Sequence, residues 1–146
     1  MKKLTKETIT FIESSRLTEK YSKLLEKHSV VNTMSAHDVE EVEKLIIKNG
    51  YPNSKYLSDE NYYLLEQSDI SEFKLSTKGG LVEFILTVKR HNISFAGNFG
   101  FIVYMAGQGA MFKKPSFSSY EELEEILVEG FGIYEDIKKG LSKSQA

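Results

Sequence analysis

Cysteine is absent from this chain. Its absence excludes a disulfide framework, a thiolate zinc site and a cysteine nucleophile. It also suits a reducing compartment, so the expected location is the cytoplasm. Long apolar runs are missing too. None approaches the roughly 18 residues needed to span a bilayer, and no membrane partner is expected. The N-terminus opens on Lys2 and Lys3 as a signal peptide would, then meets Lys6, Glu7 and Glu13 without a continuous apolar stretch. Export by that route is not expected. Histidine is scarce: His28, His37 and His91 are the only three, and no two have the i, i+4 spacing of a helical metal-ligand pair. No Gly-x-Ser-x-Gly elbow is present to hold a serine nucleophile.

Other signatures start and stop short. The glycines between Gly97 and Gly109 suggest a phosphate cradle, but no Gly-Lys-Ser/Thr follows them. They interrupt sequence of strand pattern, so a bend or a close backbone approach is expected there. The carboxylates Glu121, Glu122, Glu124 and Glu125 lie beside helix-start serines, where they favour the N-terminal dipole and remain solvated. Lys74, Lys78, Lys89, Arg90, Lys113 and Lys114 stand near Phe95, Phe99, Phe101 and Tyr104. An RNA-reading sheet, however, needs helices between its strands and aromatics facing outward. With a pI near 6.0 as well, no nucleic-acid partner is expected. His37-Asp38 is similar to the metal-binding dipeptide of HD-type phosphohydrolases, but the further histidines and aspartates of that family are missing. No catalytic residue, metal or cofactor is assigned.

What is present is a β-meander with helical flanks. Apolar residues alternate in Phe73 and Leu75, in Val82, Phe84, Leu86 and Val88, and in Ile93, Phe95, Phe99, Phe101, Val103 and Met105. A two-residue period places each set on one sheet face. Lys78-Gly79-Gly80 and Arg90-His91-Asn92 are expected to close hairpins, and Gly97–Gly100 to bend the third run. Before the meander, Leu17, Tyr21, Leu24, Leu25 and His28 form one helical stripe, so a first helix is expected over 5–28. Ser35 and Asp38 suggest a second helix ending at Asn49-Gly50. Ser58 suggests a short third one through Gln67. After the meander, Ser118 or Ser119 starts a last helix that Gly130-Phe131-Gly132 should interrupt, with residues 141–146 frayed. The expected fold is α+β: N-terminal helices, an antiparallel meander of three to five strands, and a C-terminal helix. It forms a single domain over residues 1–146.

Charge is segregated along the chain. Residues 31–72 carry three basic and nine acidic side chains, net −6, whereas residues 73–114 carry six basic and one acidic, net +5. Within the acidic segment, Tyr56, Tyr62 and Tyr63 accompany Asp59, Glu60 and Glu66. Rigid aromatic anchors in a charged field are what a protein surface uses to grip a basic partner. These six residues are therefore the candidate partner-binding set.

The order of helices, meander and Phe117-Ser118-Ser119-Tyr120-Glu121-Glu122-Leu123 opening a last helix resembles bacterial SUKH-type toxin-immunity proteins over the last two-thirds of the chain. The resemblance implies a non-enzymatic protein that neutralises a toxin. The leucine-proline loop usual there is replaced by Tyr51-Pro52. The alternative reading is a small-molecule or enzymatic pocket between a curved sheet and its helices, with His28, Gly97, Gly100 and Tyr104 in its wall. A sheet edge at Ala110–Phe112, discouraged from pairing only by Lys113, Lys114 and Pro115, is expected to be covered by a second copy in a homodimer.

Overall fold

The computed structural model describes residues 4–109 and 113–143. Its elements are α1 (Lys6–Ser14), α2 (Leu17–Lys27), α3 (Val39–Lys48), β1 (Lys55–Leu57), β2 (Tyr62–Gln67), β3 (Ser71–Ser76), β4 (Glu83–Lys89), β5 (Ser94–Asn98), α4 (Phe99–Met105) and α5 (Tyr120–Lys143). The strands form one antiparallel sheet in the order β1-β2-β3-β4-β5. The fold is α+β, with helices before the sheet and a long helix after it.

Four expected elements before the last helix are redrawn. The first helix is two helices, because Ser14 and Ser15 turn their hydroxyls back onto the carbonyls of Phe11 and Ile12 at 2.9 and 2.6 Å. Such side-chain bonds compete with the helical ladder, and Arg16 then takes a left-handed conformation at φ +59°. The second helix begins after Asp38 rather than at Ser35. The third helix does not form. Its residues make the β1–β2 hairpin, with Asn61 left-handed at φ +59° in the turn and Tyr56 paired across from Tyr63. Buried Tyr63 and Leu65 alternate with half-buried Tyr62 and Leu64, the period of a strand. The third meander run is a strand and a helix: Asn98 ends β5 and caps α4, its Oδ1 accepting from the Phe101 amide at 2.8 Å. The expected edge at Ala110–Phe112 lies outside the described residues.

The last helix runs unbroken through Gly130 and Gly132, and its end is not frayed as far as it is described. Leu141 is buried, and its carbonyl accepts from Arg90 Nη1 at 2.7 Å. Gly130 is where α5 crosses the sheet. A Cβ there would stand 2.0 Å from Cζ of Phe84. The helix can approach this closely only because the residue has no side chain.

Between helices and sheet lies an aromatic core. Phe73 stacks on Tyr134 with centroids 4.0 Å apart, and Phe84 on Phe99 at 5.4 Å. Phe131 meets Tyr51 edge-on at 4.7 Å. The helices gather on this inward face. Outward strand positions such as Leu64, Ile85 and Thr87 are only half-buried.

Candidate partner-binding surface

The structure divides the six residues of the acidic, tyrosine-bearing set among four environments. Tyr56 and Tyr63 are cross-strand neighbours, rings 4.8 Å apart, on the inward side of the hairpin. Tyr63 is 2% exposed, and burial pushes its phenol up to about 12, against a hydrogen bond with Thr77. Tyr62 and Glu60 are on the other side, gathered by one lysine: Lys74 Nζ lies 5.8 Å from the Tyr62 ring and 3.6 Å from Glu60. The same Nζ is 3.4 Å from Glu72. Asp59 is exposed in the turn.

Glu66 is committed inside the molecule. A register shift between Leu64 and Glu66 pairs Glu66 with Phe73, turning its carboxylate towards the helices. There it accepts from the Tyr134 hydroxyl at 2.6 Å and from Lys138 Nζ at 2.9 Å. Burial pushes the Glu66 carboxyl up, but the bonds from Tyr134 and Lys138 outweigh it and hold the group below its ordinary range. A depressed folded value means that stability from this group is present above the unfolded pKa. It is lost as pH falls through the folded value. Glu66→Gln is therefore expected to cost on the order of 1 kcal/mol at pH 7, after screening at this half-exposed site. The cost should shrink towards zero at pH 3, as read from urea midpoints at the two pH values.

His37 is tied into a polar cleft beneath the hairpin. Its Nδ1 is 2.9 Å from the Met34 carbonyl and so donates, which leaves Nε2 to accept from the Thr77 hydroxyl at 2.9 Å. The cleft has a volume of about 220 Å³, with Tyr56, Asn61 and Lys78 on its rim.

The four residues of the alternative pocket do not share one wall. His28 is buried at the end of α2, beside α5. Gly97 lies in β5 at φ +146°, where a Cβ would be 2.7 Å from the Phe101 ring. Gly100 is buried in the first turn of α4, and Tyr104 is exposed near its end. The space between sheet and helices is filled by the aromatic core. Near Gly97 there is instead an open apolar cleft of about 400 Å³, edged by Leu4, Ala96, Phe101 and Met105.

Ion pairs tie the helices to one another: Lys20–Asp136 at 3.0 Å, Lys27–Glu129 at 2.9 Å and Lys48–Glu124 at 3.1 Å. Hydrogen bonds from Asn49 and Lys48 hold Glu124 below its ordinary range. Carboxylates with no ion-pair partner among the described residues include Asp38, Glu40 and Glu43 on or beside α3, Glu121 and Glu125 on α5, and Asp59 in the hairpin turn; Glu7, Glu13, Glu26, Asp69 and Glu122 are scattered elsewhere without one. The α3 and α5 groups belong to neighbouring helices, tied by Lys48–Glu124 and by the Tyr120 hydroxyl, which accepts from the Asp38 amide at 2.9 Å. Ile47, 48% exposed, lies one turn from Glu43 on α3. Tyrosine density in the sequence pointed away from this helical face. The signal for it was the Glu40-Glu41-x-Glu43 run on a helix whose opposite side is apolar.

Among the described residues no group of three histidine, aspartate or glutamate side chains is placed to hold a metal ion, and no helix is long and apolar enough to cross a membrane. The fold and this face define an α+β chain with an acidic helical surface. No family model, curated protein or solved structure matches the chain.

Proposed function

We propose that this chain is a non-enzymatic protein-binding module that grips a basic partner, in the manner of a toxin-neutralising immunity protein. One observation carries the reading. Asp38, Glu40 and Glu43 at α3 and Glu121 and Glu125 at the start of α5 lack cationic partners, and exposed Ile47 lies one turn from Glu43. An apolar anchor inside a field of one sign suits recognition of a complementary surface and speeds the encounter with it. The tyrosine hairpin is the rim of this surface: Tyr56 and Asp59 flank it, and Glu66 contributes only to stability.

The test is affinity capture from the native cell with the tagged wild-type chain and two variants. Glu40→Lys/Glu43→Lys reverses the helical face, and Glu72→Lys reverses a charge on the outward sheet face. A basic protein recovered by the wild type and by Glu72→Lys, but lost with the α3 double variant, is the expected result. No specific partner, or one indifferent to the α3 reversal, overturns the reading. Circular dichroism of each variant checks that the fold is intact.

A further inference from the structure

On the outward side of the sheet, Thr87 and Lys89 follow one another along β4. The register sets Ala96 opposite Thr87 and Ser94 opposite Lys89. Alternate residues share a face and opposed residues are side-chain neighbours, so these four are contiguous. They line the open apolar cleft of about 400 Å³. Its other side is formed by Leu4, just ahead of α1, and by Phe101 and Met105, one turn apart on α4. Those three are half-buried, whereas Ile102 and Val103 on the core side of α4 are fully buried. A concave, mainly apolar site of this size suits a small ligand.

The charge in the cleft is of one sign. Lys89 has no ion-pair partner among the described residues, and no carboxylate lines the cleft. The hydroxyls of Thr87 and Ser94 make no hydrogen bond among the described residues, which leaves both able to donate. Thr5, the remaining polar side chain of the wall, is engaged in capping α1.

We propose that this cleft binds a linear aliphatic monocarboxylate. The carboxylate meets Lys89 and the hydroxyls of Ser94 and Thr87, and the alkyl tail lies over Ala96 against Phe101, Met105 and Leu4. A cationic amphiphile would bring the wrong sign to Lys89. A peptide strand added to the sheet edge is the poorer fit. The Ser94 amide is already taken by Thr8 Oγ1 at 3.1 Å, and β5 gives way to α4 after Asn98. An alkyl chain makes no demand on the backbone. The site shares no residue with the acidic helical face and does not rest on the protein-binding reading.

The ¹⁵N-labelled full chain is titrated with decanoate, octanoate and decanol, each kept below the concentration at which it self-associates. Decanoate is expected to give saturable movement of amides 87–89, 94–96 and 101–105. Octanoate, two methylenes shorter, should bind about tenfold more weakly. Lys89→Gln is expected to weaken decanoate about fivefold and leave decanol unchanged, because only the carboxylate uses the lysine. Ala96→Trp, at an exposed strand position that tolerates an aromatic, should fill the cleft and abolish binding of all three. A response that does not saturate or is scattered over other amides overturns the proposal. So does indifference to tail length, or an equal effect of Lys89→Gln on decanoate and decanol. Failure of the capture experiment leaves the titration result standing.

Discussion

Gly130→Val is expected to remove about 3 kcal/mol or more of stability, a large part of the margin of a typical domain. The cause is local: the new Cβ would meet Cζ of Phe84 at 2.0 Å and its two Cε atoms at 2.4 and 2.5 Å. Phe84 cannot yield, because its ring is packed between Phe73, Phe99 and Phe131 at 6.2, 5.4 and 6.3 Å. Helix propensity pulls the other way, since replacing a mid-helix glycine by alanine is worth up to about 1 kcal/mol. The smaller substitution therefore separates the two effects. Gly130→Ala should destabilise in spite of its propensity gain. Gly132→Ala, two residues on, exposed and with nothing within 4 Å of its Cβ, should stabilise by about 0.5–1 kcal/mol. Urea midpoints that moved in the same direction for both alanine variants would contradict the close crossing of α5 over the sheet.

The second large effect is at Phe73. Its ring lies at the meeting point of the core, 4.0 Å from Tyr134, 6.2 Å from Tyr51 and 6.3 Å from Phe99. Truncation to alanine loses the transfer free energy of a fully buried ring and leaves a void that these neighbours fill only in part. The expected cost is about 3–5 kcal/mol. It also loosens Tyr134, whose hydroxyl holds Glu66, so acid sensitivity should fall together with stability. Ile85, on the outward face of β4, is the control. It is half-buried, and Ile85→Ala should cost only about 1 kcal/mol. Similar costs at the two positions, measured by urea unfolding, would mean that the sheet is covered on both faces.

Where the sequence was legible, the reason was a two-residue period held in place by glycine turns. Phe73 and Leu75 against Phe84, Leu86 and Val88 gave the β3–β4 pairing, and Lys78-Gly79-Gly80 its turn, because a one-residue slip would expose the whole apolar set. Where it misled, a local signal was overruled by packing. Ser58 and the acidic residues after it fit a helix start, but Tyr56 and Tyr63 gain more by stacking across a hairpin. Gly97 to Gly100 were read as a bend within a strand run, but the strand ends there. That they lead into a helix depends on Asn98 capping Phe101, which alternating Phe99, Phe101 and Val103 concealed. Gly130 and Gly132 looked like a helix breaker, yet one fits against Phe84 and the other is free, a difference that exists only in three dimensions. The same limit applied to the candidate surface. Composition pointed to an acidic segment, but only the ion pairs distinguish Glu66 and Glu60, bound within the chain, from Glu40, Glu43, Glu121 and Glu125.

That distinction is the centre of the account, and carboxylate labelling tests it most directly. The chain is coupled to glycine ethyl ester through a carbodiimide, alone and bound to its captured partner, and the modified residues are read by mass spectrometry. The account predicts that binding suppresses labelling of Glu40, Glu43, Glu121 and Glu125 and leaves unchanged Glu60 and Glu72, paired with Lys74, and Glu83, which opens β4 on the outward face and pairs with Lys114 at 3.3 Å. Suppression at Glu60, Glu72 and Glu83 with the helical carboxylates still reactive would contradict it, and would move the partner to the outward face of the sheet.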